Sequence, residues 1–219
     1  MAKRETSSYR QLQAQATKDR IVAAARHLMA ERGWAGATID AIAQEAGVAT
    51  PTVYAAFGNK RSIVAGMRQA MLRDSKIPEM MQQAAAEPDA ARRLELWAGS
   101  IRQQMETSYD VIAIHRQAAR ADPEFAAEYR NVLDNRARHF AEFIHGLRSG
   151  LGPGMDASTA ADLLWAFSNE ELYSELVGER GWSHDRYEHW LARTLVSQLI
   201  ESPIVARTKL RAPRNAPPP

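Results

Sequence analysis

Three observations predict an all-α chain with a small N-terminal three-helix domain followed by a larger helical one. Apolar residues recur at three- and four-residue spacing in stretch after stretch, as in helices that bury one face. Glycines, prolines and short capping side chains punctuate the chain between those stretches. No alternating apolar run is long enough for a sheet, and no internal repeat is present.

The first sixteen residues are polar, with Lys3, Arg4 and Arg10, and read as a flexible arm over 1–16. Such arms enter a DNA minor groove in some proteins and are more often simply disordered. A helix is expected from about Thr17 to Arg32, with Ile21, Ala24, Ala25, Leu28 and Met29 on its inner face. Gly33 and Gly36, around Trp34, make the turn that follows. Ile39, Ile42, Ala43 and Ala46 form the stripe of a second helix, which Thr38 caps and Gly47 stops in a left-handed conformation. Val48 anchors the turn. Thr50 as cap and Pro51 in the first turn open a third helix, with Val53, Ala56 and Phe57 pointing inward. Gly58-Asn59 breaks the chain before a fourth helix from about Lys60 to Ser75, which carries Ile63, Val64, Met67 and Met71 and joins the two domains.

Pro78 and the stretch EPDA at 87–90 interrupt the periodicity, so a second domain is expected over 78–201. Leu94, Trp97, Ala98, Ile101 and Met105 mark its first long helix, and Val111, Ile112 and Ile114 a shorter piece. Asp122-Pro123, a cap with a first-turn proline, opens a long helix lined by Phe125, Tyr129, Arg136, Phe140 and Phe143. It ends in the glycine-rich segment from Gly150 to Gly154. Asp156 caps a helix read from about 157 to 178, and Ser183 caps a last one read from 184 to 201. Both carry apolar residues on more than one side, which a single chain cannot easily bury twice. Leu164, Phe167, Leu172, Trp190, Leu191 and Leu195 are therefore expected to pack against a second copy as a four-helix bundle. Residues 202–219 read as a disordered, basic, proline-rich tail.

Composition narrows the function classes. With no cysteine among 219 residues, disulfides, thiolate catalysis and cysteine-ligated zinc are excluded. The N-terminus has no apolar signal segment and no eighteen-residue apolar run occurs, so a cytoplasmic protein without a membrane partner is expected. The net charge of +2 divides unevenly: residues 1–77 hold twelve Lys and Arg against six Asp and Glu, and the remainder sixteen against twenty. The excess of positive charge thus accompanies the short helices, where it supplies salt-dependent affinity for polyanions. Of the histidines, His115, His139, His145, His184 and His189 lie near acidic residues but in no metal-binding spacing, so no metal or cofactor is expected. GxSxG and phosphate-cradling glycine loops are missing as well, which leaves an all-helical enzyme as the remote alternative.

Two short helices joined by a glycine turn make a helix-turn-helix, whose second helix enters the DNA major groove. Taken alone, the spacing also fits a buried helical hairpin. The outward residues of the third helix are small or polar: Thr50, Pro51 and Thr52 are placed to read bases, and Thr38, Tyr54 and Lys60 to hold phosphates, while Gly47 sets the interhelix angle. From Lys18 to about Asp74 the chain resembles the DNA-binding domain of the TetR family of bacterial transcription regulators. Ile21, Ala24, Ala25, Leu28, Gly33, Thr38-Ile39, Ile42-Ala43, Ala46-Gly47-Val48, Thr52-Val53-Tyr54, Phe57 and Lys60 carry that resemblance, which puts the DNA-binding domain at 17–77. Ala49 departs from it, because the family often has a serine there to cap the recognition helix.

The resemblance implies a homodimer on an inverted-repeat operator in double-stranded DNA, released by a small-molecule effector that binds the C-terminal helices. Expected pocket residues are Met67, Met71, Trp97, Met105, Tyr109, His115, Arg116, Tyr129 and Trp165, since such pockets are mostly apolar with a few polar groups. A Met or an aromatic at helical spacing is, however, core more often than ligand wall. The expected function is a ligand-responsive repressor, with an architectural DNA binder lacking any inducer as the alternative.

Overall fold

The computed structural model describes the backbone of residues 2–201 and the side chains of residues 9–201; the expected tail at 202–219 lies outside the described residues. Every regular element among them is helical, and no helix is long and apolar enough to cross a membrane. Helix α1 spans Ala2–Gly36, α2 Ile39–Glu45, α3 Thr50–Phe57 and α4 Lys60–Asp74. Helices α5 (Ile77–Ala86), α6 (Ala90–Ala121) and α7 (Pro123–Leu147) follow, then α8 (Ala157–Phe167), the short α9 (Glu170–Tyr173) and α10 (His184–Val196).

Of the flexible arm expected at 1–16, residues 2–16 are instead the start of α1. Residues 2–16 contain no glycine or proline and are rich in Ala, Gln, Arg and Lys, which favour helix. They also extend a helix already nucleated by the buried turns from Ile21 onward, so each added residue gains a hydrogen bond without the nucleation cost. The regular helix breaks at Gly33, whose φ of 70° and ψ of 178° no helix accommodates. A side chain there would be strained by the positive φ, and its Cβ would stand 3.0 Å from the Gln117 amide.

The structure consists of two compact units. The first holds residues 1–78 and 104–135, so α1 to α4 share their core with the second half of α6 and the start of α7. Ile21, Ala25, Ile42, Ile63 and Val64 are fully buried there, joined by Val111, Ala118 and Phe125. Polar links reinforce the core. Arg26 of α1 grips both oxygens of Asp110, at 2.5 and 2.6 Å, and donates to the Thr107 carbonyl beside a kink at Ser108 in α6. Gln117 accepts from the Trp34 amide at 2.9 Å, and Arg61 of α4 pairs with Asp122 and Glu124. Asp122 caps α7 through the amides of Glu124 and Phe125. Chiefly that hydrogen bond from Phe125, assisted by Arg61, holds its carboxyl below the usual carboxylate range.

The second unit holds residues 79–103 and those from 136 onward. Pro78, expected to interrupt helix, stands second in α5, where a missing amide hydrogen costs nothing. Trp97 packs on Phe140 and Phe143, and the Arg136 guanidinium lies over the rings of Phe140 and Trp165. The single helix expected over 157–178 is broken. Its first part ends at Ser168, whose carbonyl accepts from Arg136 at 2.7 Å, and Asn169 caps a new start by accepting from the Leu172 amide. Wider π-type turns follow α9 at Ser174–Glu179 and α10 at Ser197–Glu201.

This packing also corrects the surface expected between two chains. Leu164, Leu191 and Leu195 are fully buried within the unit. Tyr187, Leu191, Leu195 and Leu199 stand four residues apart and make up the one stripe of α10 and its extension that faces inward, so those leucines have no area left for a partner. Phe167, Leu172 and Trp190 stay half-buried.

Candidate nucleic-acid interface

The turn between α2 and α3 is built by backbone chemistry that Gly47 makes available. At φ of 64° it reverses the chain, its amide donates to the Gln44 carbonyl at 3.1 Å, and the Val48 amide donates to the Ala43 carbonyl at 3.0 Å. Both bonds satisfy carbonyls that the end of α2 would otherwise leave orphaned. At the other end of α2, the Thr38 hydroxyl accepts from the Ala41 amide at 3.1 Å.

Helix α3 follows in a frame one residue earlier than expected. Ala49, not Thr50, is its cap residue and offers no side-chain bond; Thr50 is the first helical residue. Its hydroxyl goes to Asp40 of α2, donating to the carboxylate at 2.9 Å, and so ties the two helices together. Val53 is buried beneath α3. Pro51, Tyr54 and Ala55 face outward, Tyr54 with 52% of its surface exposed, and Thr52 is half-buried at the edge of that face. The first turn of α3 therefore presents uncapped backbone and small side chains to solvent, which suits close approach to a phosphodiester.

Lys60 opens α4, but its ammonium is turned inward. It donates to the carbonyls of Trp34 at 2.5 Å and Ala37 at 3.1 Å, and lies 4.1 Å from the centre of the Trp34 ring. Burial lowers its pKa, partly opposed by the charge of Asp122. In this arrangement Lys60 closes the end of α1 instead of reaching outward. Asn59 caps α4 through the Ser62 amide. Sequence reading missed Asp40 and Gln117, which brace Thr50 and Trp34 from 10 and 83 residues away. No local spacing announces a contact of either kind.

The residues expected around a ligand fall into two groups. Met67, Met71, Met105, Tyr109, His115, Arg116 and Tyr129 belong to the first compact unit, and Trp97 and Trp165 to the second. Met67, Met105, His115 and Trp97 are buried; the others are half-buried. Trp97 is integral to its core, its indole N–H donating to the Ser168 hydroxyl at 3.3 Å. His115, only 4% exposed, sits beside the rings of Phe125 and Tyr129. Its Nδ1 lies 2.8 Å from the Val111 carbonyl and must carry the hydrogen, which leaves Nε2 a buried acceptor with no hydrogen-bond partner among the described residues. Elsewhere in the second unit an open groove of about 1110 Å³ runs past Arg92, Glu95, Trp182, Arg186, Trp190 and Glu201. None of the nine expected ligand residues lines it.

Comparison with known proteins gives this geometry a context. Residues 21–67 match the family described as bacterial regulatory proteins, tetR family. Over 218 residues the chain is 30% identical to the HTH-type transcriptional repressor BepR of Brucella suis biovar 1 (strain 1330), covering 92% of this chain and 95% of BepR. The fold is similar to that of the transcriptional regulator FadR from Bacillus subtilis, solved in complex with stearoyl-CoA, at TM-score 0.67 and 20% identity, over 81% of this chain and 97% of FadR. NalD, the secondary repressor of the MexAB-OprM multidrug efflux pump in Pseudomonas aeruginosa, gives TM-score 0.66 and 20% identity, over 86% of this chain and 98% of its own.

Proposed function

The chain belongs to the TetR family of bacterial regulatory proteins, and from that premise we propose that it is a homodimeric repressor whose hold on an operator is relieved by a small-molecule effector. One observation carries the DNA reading: on α3, Val53 points into the core while Pro51, Tyr54 and Ala55 point out of a hairpin whose angle Gly47 sets. That helix enters the major groove, Pro51 and Thr52 meet base edges, and Tyr54 holds a phosphate. Thr38 adds a backbone contact from the start of α2. Thr50 and Lys60 act behind the face, Thr50 by tying α3 to Asp40 and Lys60 by closing α1. The chain thereby acts where DNA is, in the cytoplasm, as a regulator and not as a catalyst.

The half-buried Phe167, Leu172 and Trp190 support pairing of two copies through the C-terminal helices. Two recognition helices then read an inverted repeat, with half-sites about one helical turn, ~34 Å, or more apart. Repression follows the precedent of BepR and NalD, and effector binding that of FadR with its stearoyl-CoA. An effector that prefers the DNA-incompetent state lowers DNA affinity by the same factor by which DNA lowers effector affinity. A mobility-shift titration tests the core of the proposal. The full chain should shift DNA from upstream of its own gene in a salt-sensitive complex that excess random DNA does not compete away. Equal affinity for both DNAs would instead favour an architectural binder.

A further inference from the structure

A histidine of α1 stands between two carboxylates at the end of α2. The Nδ1 of His27 lies 3.1 Å from Oε1 of Glu45, the last residue of α2, and its Nε2 lies 3.2 Å from Oε1 of Glu31, one turn further along α1. A neutral imidazole carries a hydrogen on one nitrogen only, which leaves a lone pair of the other facing a carboxylate. The imidazolium presents an N–H to each, so the arrangement is complete only when the ring is charged. Gly47, whose φ of 64° turns the chain toward α3, follows Glu45 by two residues. The contact therefore closes on the segment that aims the recognition helix.

We propose that His27 is a positioning residue for DNA binding, whose charged ring clasps the end of α2 to α1 and so makes operator affinity rise as pH falls; this rests on the DNA-binding reading above. Imidazole is the side chain that ordinarily changes charge between about pH 5 and 8. With 56% of its side chain exposed, His27 exchanges protons freely with solvent. The other histidine of the first unit, His115, is buried and held neutral, and His139, His145, His184 and His189 belong to the second unit. Charged groups on the elements packed against α1 are engaged elsewhere. On α2, Asp40 accepts from Thr50, and α3 has no charged residue. On α4, Lys60 turns to backbone carbonyls, Arg61 pairs with Asp122 and Glu124, Arg68 acts on His115, and Arg73 pairs with Asp19 and Asp74. On α1 itself Arg26 holds Asp110, and Arg20 stands two turns before His27. Glu31 and Glu45 are thus the groups that answer to the charge of this ring.

The test is the pH profile of DNA affinity at constant ionic strength, from about pH 6 to about pH 8. Fluorescence anisotropy follows a duplex from upstream of its own gene, bound by the full chain and by the variants His27→Gln and His27→Arg. The wild type should bind roughly two- to fivefold more tightly at the acid end, the scale that one or two exposed ion pairs allow. His27→Gln carries no charge and should keep the weaker, alkaline affinity throughout. His27→Arg is charged at every pH of the range and should keep the tighter, acid affinity throughout. A side chain that served only as packing would shift the affinity of both variants and leave their profiles as steep as the wild type's. All three residues of the clasp being about half exposed, the variants should retain the wild-type circular dichroism. A flat wild-type profile, a glutamine variant as pH-dependent as the wild type, or an arginine variant that behaves like the glutamine one overturns the clasp alone. A wild-type chain that binds no duplex at any pH removes the DNA reading and the clasp together.

Discussion

Thr52 and Tyr54 stand two residues apart on α3, yet they can tell DNA different things. Tyr54 offers one phenol at the end of an exposed ring, suited to a phosphate whose position is the same in every sequence. Tyr54→Ala should weaken binding to operator and random duplex alike, by about 1 kcal/mol or roughly fivefold. Thr52→Ala, at the edge of the face, should alter preference at one or two base pairs. Selection of bound sequences for each variant checks the division, and the reverse pattern would overturn it. His115 invites a different measurement. Burial, opposed by its bond to the Val111 carbonyl and aided by the nearby charge of Arg68, pushes its pKa below the ordinary 6.5. The folded chain then holds this ring neutral while the unfolded chain takes up a proton, so its contribution is complete above about pH 6.5 and falls as pH drops toward the lowered value. His115→Phe should flatten the loss of urea stability between neutral and mildly acid pH. It also removes a buried acceptor that has no partner, so it should not cost stability at neutral pH.

Caps show which parts of an element a sequence can reveal. Thr38, Asp122, Asp156 and Ser183 were readable because a cap is a local event, its partner two or three residues away. Asn169 uses the same chemistry and went unseen, since the apolar spacing of Leu164, Phe167, Leu172 and Leu176 continues across the break. What splits that helix is distant: Arg136 takes the Ser168 carbonyl and Trp97 its hydroxyl, and neither can be inferred from neighbours in sequence. Thr50 was misplaced for a related reason, its hydroxyl being drawn to Asp40. The outward face of α3 was legible all the same, because Val53 and Phe57 fix which side of an eight-residue helix is buried. Asn169→Ala should cost about 1 kcal/mol of unfolding free energy, read by urea denaturation. A change within error would mean that Arg136 and Trp97 alone set the break.

At the scale of the whole molecule, the apolar surface of the C-terminal helices divides between the chain's own core and what remains for a partner. Helices α8 and α10 carry more apolar residues than one face needs, which is the sequence signal for pairing with a second copy but does not say which residues would pair. Leu191 and Leu195 belong to the chain's own core because they share the stripe of α10 with Tyr187 and Leu199, and Leu164 of α8 is fully buried as well, leaving Phe167, Leu172 and Trp190 at the margin. The distinction can be measured with two substitutions of one kind. Leu195→Glu puts a charge where nothing can hydrate or pair it, at a cost of about 4 kcal/mol or more, so the variant should unfold or aggregate and never yield a clean folded monomer. Trp190→Glu puts the same charge on a half-exposed site, where one chain can solvate it and a chain-to-chain contact cannot. Sedimentation velocity and circular dichroism should find that variant fully helical, monomeric and weak in operator binding, since each half-site then acts alone. A folded dimer in the Trp190→Glu variant would place the pairing surface elsewhere on the C-terminal helices, and a folded monomer from Leu195→Glu would restore that leucine to it.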